Sequence, residues 1–557
     1  MSAKHLVIGL DGADLSLIQD LGAESLPALH SLMNAGAYSH QRSVIPPATL
    51  PNWTTFLTGV DPGRHGVIDF TMRKGYDVSF AAGGAREVPT LFSRLDALEL
   101  ASACVGFPAT YPPEPLERGI FISGWDSPVA FEADDSFVWP RALHGEIKKR
   151  FGETRFDNVD EFDADRPGWH QDLPAALCER IGRKRDLATW LLEGREWDVF
   201  AIYFGESDTA SHYLWSLHDT DSPRAPMNSE HDRRGLERVY KALDESVGAL
   251  LQAAGGAGVE VTILSDHGSG GSSDKVLYLN RALAEAGLLA FKPQTLMPRA
   301  MRNLKEAALT RLPPRARELI FRFGGKSLPG WLESRARFGA INMPGTTAFS
   351  DELNYFPAVY LNLQGREPAG TVSLPETEAA TLQVESALLA LRDPWTGEPV
   401  VNRVLRRPEV FQGPFAHRAP DLLLDMNLDG GYSYNLMPSP AGSGPVWRRL
   451  EAFESLGRKG RSLPGSHRSN GFFLASGPTV SPVGQIDSHI ADASATLLVR
   501  LGIQVPPEFM GRPLWEILSE VLPAPEHTLP MTPRTRADSK IAEEHIESRL
   551  RSLGYID

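Results

Sequence analysis

The stretch HLVIGLDG, residues 5–12, is the clearest indication of the fold, because it is a short apolar run followed directly by a carboxylate, Asp11. Two further stretches have the same form: WDVFAIYFGESD, residues 197–208, and VEVTILSDHG, residues 259–268. A continuous apolar run of this length is typical of a strand buried on both faces, as in a parallel sheet. Parallel strands end at one edge of their sheet, so the three runs predict a shared site for the carboxylates that follow them.

Amphipathic stretches separate these runs and predict helices, for example KRDLATWLLEG, residues 184–194, and GLERVYKALDESVGALLQAA, residues 235–254. Alternation of buried strands with helices predicts an α/β fold, with a mostly parallel central sheet and helices on both faces.

Composition limits the class of protein. Of the 557 residues, 42% are hydrophobic and 23% are charged, which is ordinary for a soluble globular protein. The formal net charge of −14 argues against nucleic acid as a partner, and two cysteines are too few for a disulfide scaffold. No apolar run approaches the ~20 residues of a transmembrane helix, and the first run is too short for a signal peptide. We therefore expect a cytoplasmic protein without a transmembrane segment.

Four segments are predicted along the chain. Residues 1–290 form the first part of the core, and residues 346–520, where strand-like runs return, form the second. Between them, residues 291–345 are basic, with eleven Lys or Arg against three Glu from Lys292 to Arg337. We predict a helical cap insertion there; a solvated basic helix pair explains the charge equally well, and a membrane-surface role explains it less well. Residues 521–557 read as a Pro-rich linker and a C-terminal helix.

Carboxylate and imidazole groups gather near the predicted strand ends. One pair lies at i, i+4, one pair is adjacent, and two groups stand alone: Asp208 with His212, Asp266 with His267, Asp11 and His467. Each taken singly is more often structural. Together they suit Zn²⁺ best, with Mn²⁺ and Fe as the alternative ions, and they suit Mg²⁺ less well. Six ligands exceed what one tetrahedral ion needs, so two ions are implied, and a pair about 4 Å apart suits displacement at phosphorus.

A rigid turn lies in VIPPATLPNWTTFLTG, residues 44–59. Pro46, Pro47 and Pro51 fix φ on either side of Thr49, and a helix is predicted to follow. A hydroxyl at a helix start is well placed beside an anionic group. For a lone threonine, a helix cap is the commoner role.

The order Asp, Thr, Asp-x-x-x-His, Asp-His, His resembles that of the alkaline phosphatase superfamily. Within it the chain is most similar to the type I phosphodiesterase/nucleotide pyrophosphatase branch, especially its prokaryotic members. PPATLPNWTTFLTGVDPGRHGVIDF, residues 46–70, is similar to the nucleophile segment of that family. The resemblance covers residues 4–290 and 345–516, and it implies an alkaline-phosphatase-like core.

The resemblance also implies roles. Thr49 would be the nucleophile, activated by a metal ion and passing through a covalent phospho-threonine. One ion would be held by Asp208, His212 and His467, and the other by Asp11, Asp266, His267 and Thr49. Asn52 and Arg64 are the candidates for substrate binding, with a small phosphorylated molecule as substrate.

The chain departs from the family at Phe70, where characterised members carry an asparagine that binds a phosphoryl oxygen. A sulfatase is not expected, because Thr49-Leu50-Pro51-Asn52-Trp53 lacks the oxidisable residue and the arginine of that class. The leading hypothesis is a two-metal phosphoesterase that cleaves a phosphodiester or pyrophosphate bond. The alternatives are a phosphomonoesterase or phosphomutase of the same superfamily, and a metal-stabilised phosphate-ligand-binding protein without turnover.

Overall fold

The computed structural model describes residues 4–80, 85–124, 135–152, 166, 168–225, 233–293, 338–352, 356–440, 444–457, 462–519, 522 and 527–530. The α-helices are Leu15–Ser25, Pro27–Ala35, Thr49–Thr58, Pro62–His65, Leu91–Asp96, Arg141–Phe151, Trp169–Gly194, Glu206–His218, Gly235–Ala254, Leu279–Glu285, Thr377–Leu389, Arg407–Val410 and Ile490–Arg500. The strands are β1 His5–Leu10, β2 Ala37–Arg42, β3 Thr71–Lys74, β4 Asp77–Phe80, β5 Ser102–Val105, β6 Ile120–Ile122, β7 Val138–Trp139, β8 Val199–Phe204, β9 Glu260–Leu264, β10 Gly268–Leu277, β11 Ala348–Ser350, β12 Ala358–Leu361, β13 Val401–Arg406, β14 Leu422–Met426, β15 Leu428–Asp429, β16 Tyr432–Leu436, β17 Trp447–Arg449, β18 Gly465–Arg468, β19 Asn470–Ser476, β20 Gly484–His489, β21 Ile503–Gln504 and β22 His527–Thr528.

A nine-stranded sheet forms the centre of the molecule, in the order β20-β2-β19-β9-β1-β8-β5-β6-β7. Of the eight pairings between its described strands, five are parallel and three are antiparallel. Helices pack against it in two separate groups, one around Gly235–Ala254 and the other around Ile490–Arg500. The predicted α/β class with a mostly parallel sheet is confirmed.

The three predicted strands lie side by side at the middle of this sheet. β1 pairs with β8 on one side and with β9 on the other, and every residue of the three strands is buried. Burial on both faces explains why these segments are continuous apolar runs rather than alternating ones. Their carboxyl ends bring Asp11, the helix Glu206–His218 and Asp266 to one edge.

An antiparallel strand, β19, lies between β2 and β9 within the otherwise parallel part of the sheet. It directly follows β18, which pairs antiparallel with β10 and sets His467 opposite Ser269. This long-range pairing brings the last predicted ligand to the edge where the others lie.

A second sheet lies apart from the first. Its order is β11-β12-β14-β13, all antiparallel, and it encloses a separate apolar cluster that includes Phe349, Val359, Val384 and Leu424. The predicted segment 346–520 thus contributes first to this cluster, and from β18 onward to the central sheet.

Most of the predicted cap, residues 294–337, and residues 531–557 of the predicted C-terminal segment lie outside the described residues. Among the helices that are described, none combines the length and apolarity needed to cross a membrane.

Candidate active site

Two groups of side chains at the sheet edge have the geometry of metal ligands. The first is Asp208, His212 and His467, and the second is Asp11, Asp208 and His267; within each group the ligand atoms lie within 4.8 Å of one another. The sixth predicted ligand, Asp266, adjoins the second group, with its Oδ2 3.2 Å from His267 Nε2. The six predicted carboxylate and imidazole ligands are therefore brought together, and the role of Thr49 as a seventh ligand remains a prediction. Asp208 belongs to both groups, whereas the family resemblance implied that it binds the first ion alone.

Backbone carbonyls fix the orientation of all three imidazoles. His212 Nδ1 lies 3.0 Å from the carbonyl oxygen of Gly465, and His467 Nδ1 lies 2.8 Å from that of Pro47. His267 Nδ1 lies 3.0 Å from the carbonyl oxygen of Gly268. A carbonyl only accepts, so Nδ1 carries the proton and, in the neutral ring, Nε2 keeps its lone pair. The Nε2 atoms of His212 and His467 are only 3.0 Å apart, a distance at which two lone pairs repel unless a proton or cation lies between them.

The carboxylates present unsatisfied oxygens to the same point. At this site, four buried atoms have no hydrogen-bond partner within the described part of the chain: Asp11 Oδ1, Asp208 Oδ1, Asp266 Oδ2 and His267 Nε2. Buried polar atoms are rarely left in this way. Carboxylate oxygens and unprotonated imidazole nitrogens are ligands for Zn²⁺ and Mn²⁺, so the donor set fits a pair of divalent ions.

The electrostatics of the site lead to the same conclusion. Burial, followed by the neighbouring charges of Asp266 and Asp208, raises the pKa of Asp11 well above its ordinary value. Burial also lowers the pKa of His467, reinforced by His267 and His212. Both shifts arise because like groups crowd together in a poorly solvated place. A divalent cation among them would favour ionised carboxylates and neutral imidazoles.

Three serines from other elements hold the loop that follows β1. Ser207, Ser269 and Ser265 donate from their hydroxyls to the carbonyl oxygens of residues 11, 12 and 13. Gly12 has φ +63°, and a Cβ there would lie 3.0 Å from Asp208 Oδ1. Only glycine combines this backbone conformation with so close an approach. The loop therefore sets Asp11 beside Asp208.

The helix Thr49–Thr58 begins at the predicted nucleophile, with Ala48 as its N-cap and Thr49 8% exposed. Asn52 holds the preceding turn: its amide nitrogen donates to the carbonyls of Pro46 and Ala48, and its oxygen accepts from the amide of Val44. With both donors used and no exposed surface, Asn52 cannot also donate to a substrate. Its predicted role in substrate binding is therefore corrected to one of positioning.

Arg64 and Phe70 lie farther along the same segment. Arg64 is exposed at the end of the short helix Pro62–His65, beside Gly413, and its contact with substrate remains a prediction. Phe70 packs against an apolar cluster that includes Leu50, the residue next to Thr49. His65 between them is buried, with Nε2 3.1 Å from Thr55 Oγ1, and burial lowers its pKa to about 3. This environment indicates a structural role for His65.

Two residues that sequence reasoning missed contact the site directly. Trp53 Nε1 and the Tyr203 hydroxyl both donate to Asp11 Oδ2, over 2.9 Å and 2.6 Å. Trp53 lies within the quoted segment 44–59, where an aromatic residue with a polar N–H four residues after a proposed nucleophile is a usable signal. Tyr203 gave no such signal, since its role depends on the register that sets it opposite Gly9.

Comparison with known proteins identifies one family, both by a family model and by individual relatives. The family model described as type I phosphodiesterase/nucleotide pyrophosphatase matches residues 5–447. Ectonucleotide pyrophosphatase/phosphodiesterase family member 1 of Mus musculus is 25% identical over 295 residues, covering 51% of this chain and 26% of that protein; its counterpart from Rattus norvegicus has the same values. The chain thus matches about a quarter of the length of these relatives.

Among solved structures, murine ectonucleotide pyrophosphatase/phosphodiesterase 5, an inactive threonine-to-alanine variant in complex with AMP, aligns with a TM-score of 0.50 at 13% identity. The alignment covers 93% of this chain and 100% of that one. At this identity the likeness speaks for the fold alone.

Proposed function

Because the chain belongs to the type I phosphodiesterase/nucleotide pyrophosphatase family, we propose that it is a two-metal phosphoesterase that hydrolyses a phosphodiester or pyrophosphate bond through a covalent phospho-threonine at Thr49. The observation that carries the proposal is the set of four buried ligand atoms without hydrogen-bond partners among the described residues. They lie at the edge of the sheet. A hydrogen bond from His467 to the carbonyl of Pro47 connects the turn before Thr49 to this edge. Drift in an unused site would be expected to break such a set.

The chain's own groups divide between two ions, of which Zn²⁺ is favoured and Mn²⁺ is the alternative. His212 and His467 would hold one, and Asp11, Asp266 and His267 the other, with Asp208 in reach of both. Bound there, the ions would neutralise charge on phosphoryl oxygens and lower the pKa of a hydroxyl group. The sequence motif assigns that role to the hydroxyl group of Thr49.

Thr49 acts in two balanced steps. Its Oγ1 gives up its proton and forms a bond to phosphorus, while the bond between phosphorus and the leaving oxygen breaks and that oxygen takes up a proton. Water then forms a bond to phosphorus, the bond to Thr49 Oγ1 breaks, and the hydroxyl is restored. Because the helix begins at Thr49, its first amide groups are available to the phosphoryl oxygens.

The substrate is a small phosphorylated molecule, and nucleotides are the first compounds to screen. The murine structure described above holds AMP, and its inactive form lacks a threonine, which agrees with a hydroxyl nucleophile. The phenyl side chain of Phe70 packs against an apolar cluster and has no group that could hydrogen-bond to a phosphoryl oxygen, at the position where the family carries asparagine. Recognition of the phosphoryl group here would then rest on backbone amides and the ions.

A paired rate assay tests the proposal. Protein reconstituted with Zn²⁺ or Mn²⁺ is given bis(p-nitrophenyl) phosphate and, separately, p-nitrophenyl phosphate, with Thr49→Ala protein setting the background. We expect the diester to be hydrolysed faster than the monoester, and both rates to vanish in excess chelator. A dominant monoester rate would move the protein to the phosphatase or mutase class. Metal binding without turnover of these esters or of a nucleotide panel would favour the binding protein.

A further inference from the structure

We propose that Trp53 and Tyr203 are positioning residues, which aim Asp11 at its ion and fix the helix of Thr49 against the metal centre. The inference rests on the proposed function, because it assigns a purpose to contacts made with a predicted metal ligand. Neither residue belongs to the predicted ligand set.

The two donors converge on a single oxygen. Asp11 Oδ2 accepts from Trp53 Nε1 at 2.9 Å and from the Tyr203 hydroxyl at 2.6 Å. The other oxygen, Oδ1, lies 3.6 Å from His267 Nε2 and has no hydrogen-bond partner among the described residues. Two fixed donors on one oxygen prevent rotation of the carboxylate, so Oδ1 is left directed at the ligand group. Partners of this kind orient metal ligands and increase their affinity for the ion.

The packing around the donors leaves them no alternative position. Trp53 has no exposed surface and Tyr203 is 2% exposed, and their rings meet edge to face at 5.5 Å. Phe107 packs against Trp53 on another side, with ring centroids 5.3 Å apart. Gly9 provides the space for the indole, because a Cβ there would lie 2.7 Å from Trp53 Cη2. The absence of a side chain at Gly9, next to the last residue of β1, is thus part of the same arrangement.

The network also links the ions to the nucleophile. Trp53 lies four residues after Thr49, one turn along the same helix. On the other side of the turn, His467 Nδ1 donates to the carbonyl of Pro47 at 2.8 Å. The segment that carries Thr49 is therefore hydrogen-bonded to a ligand of each group. A displacement of the helix would move the nucleophile and a ligand together, and catalysis is sensitive to shifts of about 1 Å.

The test compares Trp53→Phe and Tyr203→Phe with two matched controls. Trp197→Phe loses a buried indole donor that bonds the Leu192 carbonyl, and Tyr434→Phe loses a hydroxyl that donates to Asp393; neither residue contacts the site. For each protein, Zn²⁺ affinity and stoichiometry are measured by titrating the metal-loaded enzyme with a competing chelator. The kcat and KM for the chromogenic diester and the thermal midpoint in chelator are measured alongside.

We expect wild-type protein to bind two ions, and Trp53→Phe and Tyr203→Phe each to weaken one of the two sites by about 10- to 100-fold while leaving the other unchanged. Their kcat should fall with little change in KM, and the controls should keep both affinities. If the site variants lose thermal stability but keep both affinities and kcat, the two residues are merely structural and the inference fails. If wild-type protein binds fewer than two ions, the proposed function fails instead. Tyr203→Phe removes one oxygen only, so it remains informative should Trp53→Phe not fold.

Discussion

At the scale of single residues, the backbone rather than other side chains orients the histidines of the site. Nδ1 of His212 donates a hydrogen bond to the carbonyl of Gly465, and Nδ1 of His467 donates to that of Pro47; both carbonyls lie hundreds of residues away along the chain. The imidazoles are thus placed by the assembled fold, before any ion binds. This agrees with a site whose geometry is fixed in advance of its ligands.

Asn52 is expected to act on stability and on the position of Thr49. Asn52→Ala removes three buried hydrogen bonds and leaves backbone groups unpaired, so the free energy of unfolding should fall by roughly 1–3 kcal/mol. The kcat for the diester should fall as well, with KM little changed. Urea unfolding and steady-state kinetics measure both quantities. A rise in KM at unchanged stability would return Asn52 to substrate binding.

Much of the site could be predicted at this scale and some of it could not. Sequence spacing alone predicts which side chains lie close together in two pairs: Asp208 with His212 at i, i+4, and Asp266 with the adjacent His267. The position of Asn52 in the sequence does not predict its role, because an amide near a nucleophile can bind the substrate or stabilise the turn. Its three bonds to the backbone appear only once the turn is folded.

At the scale of elements, the helix Glu206–His218 carries two of the proposed metal ligands and is held at its first residue. Glu206 is fully buried and forms ion pairs with Lys184 at 2.9 Å and Arg180 at 3.0 Å, both from the helix Trp169–Gly194. Burial raises the pKa of Glu206, but the two cations outweigh that effect and lower it overall. The negative charge also stands at the helix start, where the dipole favours it.

Loss of one cation from this arrangement should destabilise the protein. Lys184→Met leaves a buried carboxylate with Arg180 as its remaining cation, and we expect the free energy of unfolding to fall by about 3 kcal/mol or more. Arg183→Met on the same helix is the matched control. The exposed pair that it breaks with Glu179 is worth about 0–1 kcal/mol. Equal effects of the two substitutions in chemical unfolding would contradict the assignment.

The central elements followed from the sequence because buried parallel strands have a distinctive composition. β1, β8 and β9 are continuous apolar runs that end near carboxylates, and they are neighbours in the sheet. The sequence did not predict that β19 is inserted antiparallel between β2 and β9. Its apolar residues suit either direction, and only pairing with β2 and β9 sets its orientation.

At the scale of the whole molecule, the proposed metal ligands follow strands β1, β8 and β9 of the central sheet or lie on β18, while the second sheet packs alongside. A small apolar cluster joins the two parts, with Ile68 from the nucleophile segment against Phe356 and Leu423. The sequence could not separate these parts, because strand-like runs after residue 346 look alike whichever core they enter. The separation depends on long-range contacts that no local pattern records.

Removal of metal should lower the stability of the whole molecule, because bound ions stabilise the folded state by mass action. At a free ion concentration of 100 times Kd the gain is about 2.7 kcal/mol per site. We therefore expect the thermal midpoint to fall in chelator and to recover when Zn²⁺ is returned. Asp208→Asn, which weakens the ligand shared by both groups, should lose most of this recovery. An unchanged midpoint in wild-type protein would contradict the metal centre.

The most direct test of the central claim is kcat/KM for the chromogenic diester in Thr49→Ala, Thr49→Ser and Thr58→Ala, each fully loaded with metal. Serine keeps a hydroxyl that can attack phosphorus, and Thr58 donates to the carbonyl of Thr54 within the same helix. We expect Thr49→Ala to lose roughly a thousandfold or more in kcat/KM, whereas the other two variants stay within about tenfold of wild type. A rate for Thr49→Ala close to that of Thr49→Ser would contradict the covalent mechanism.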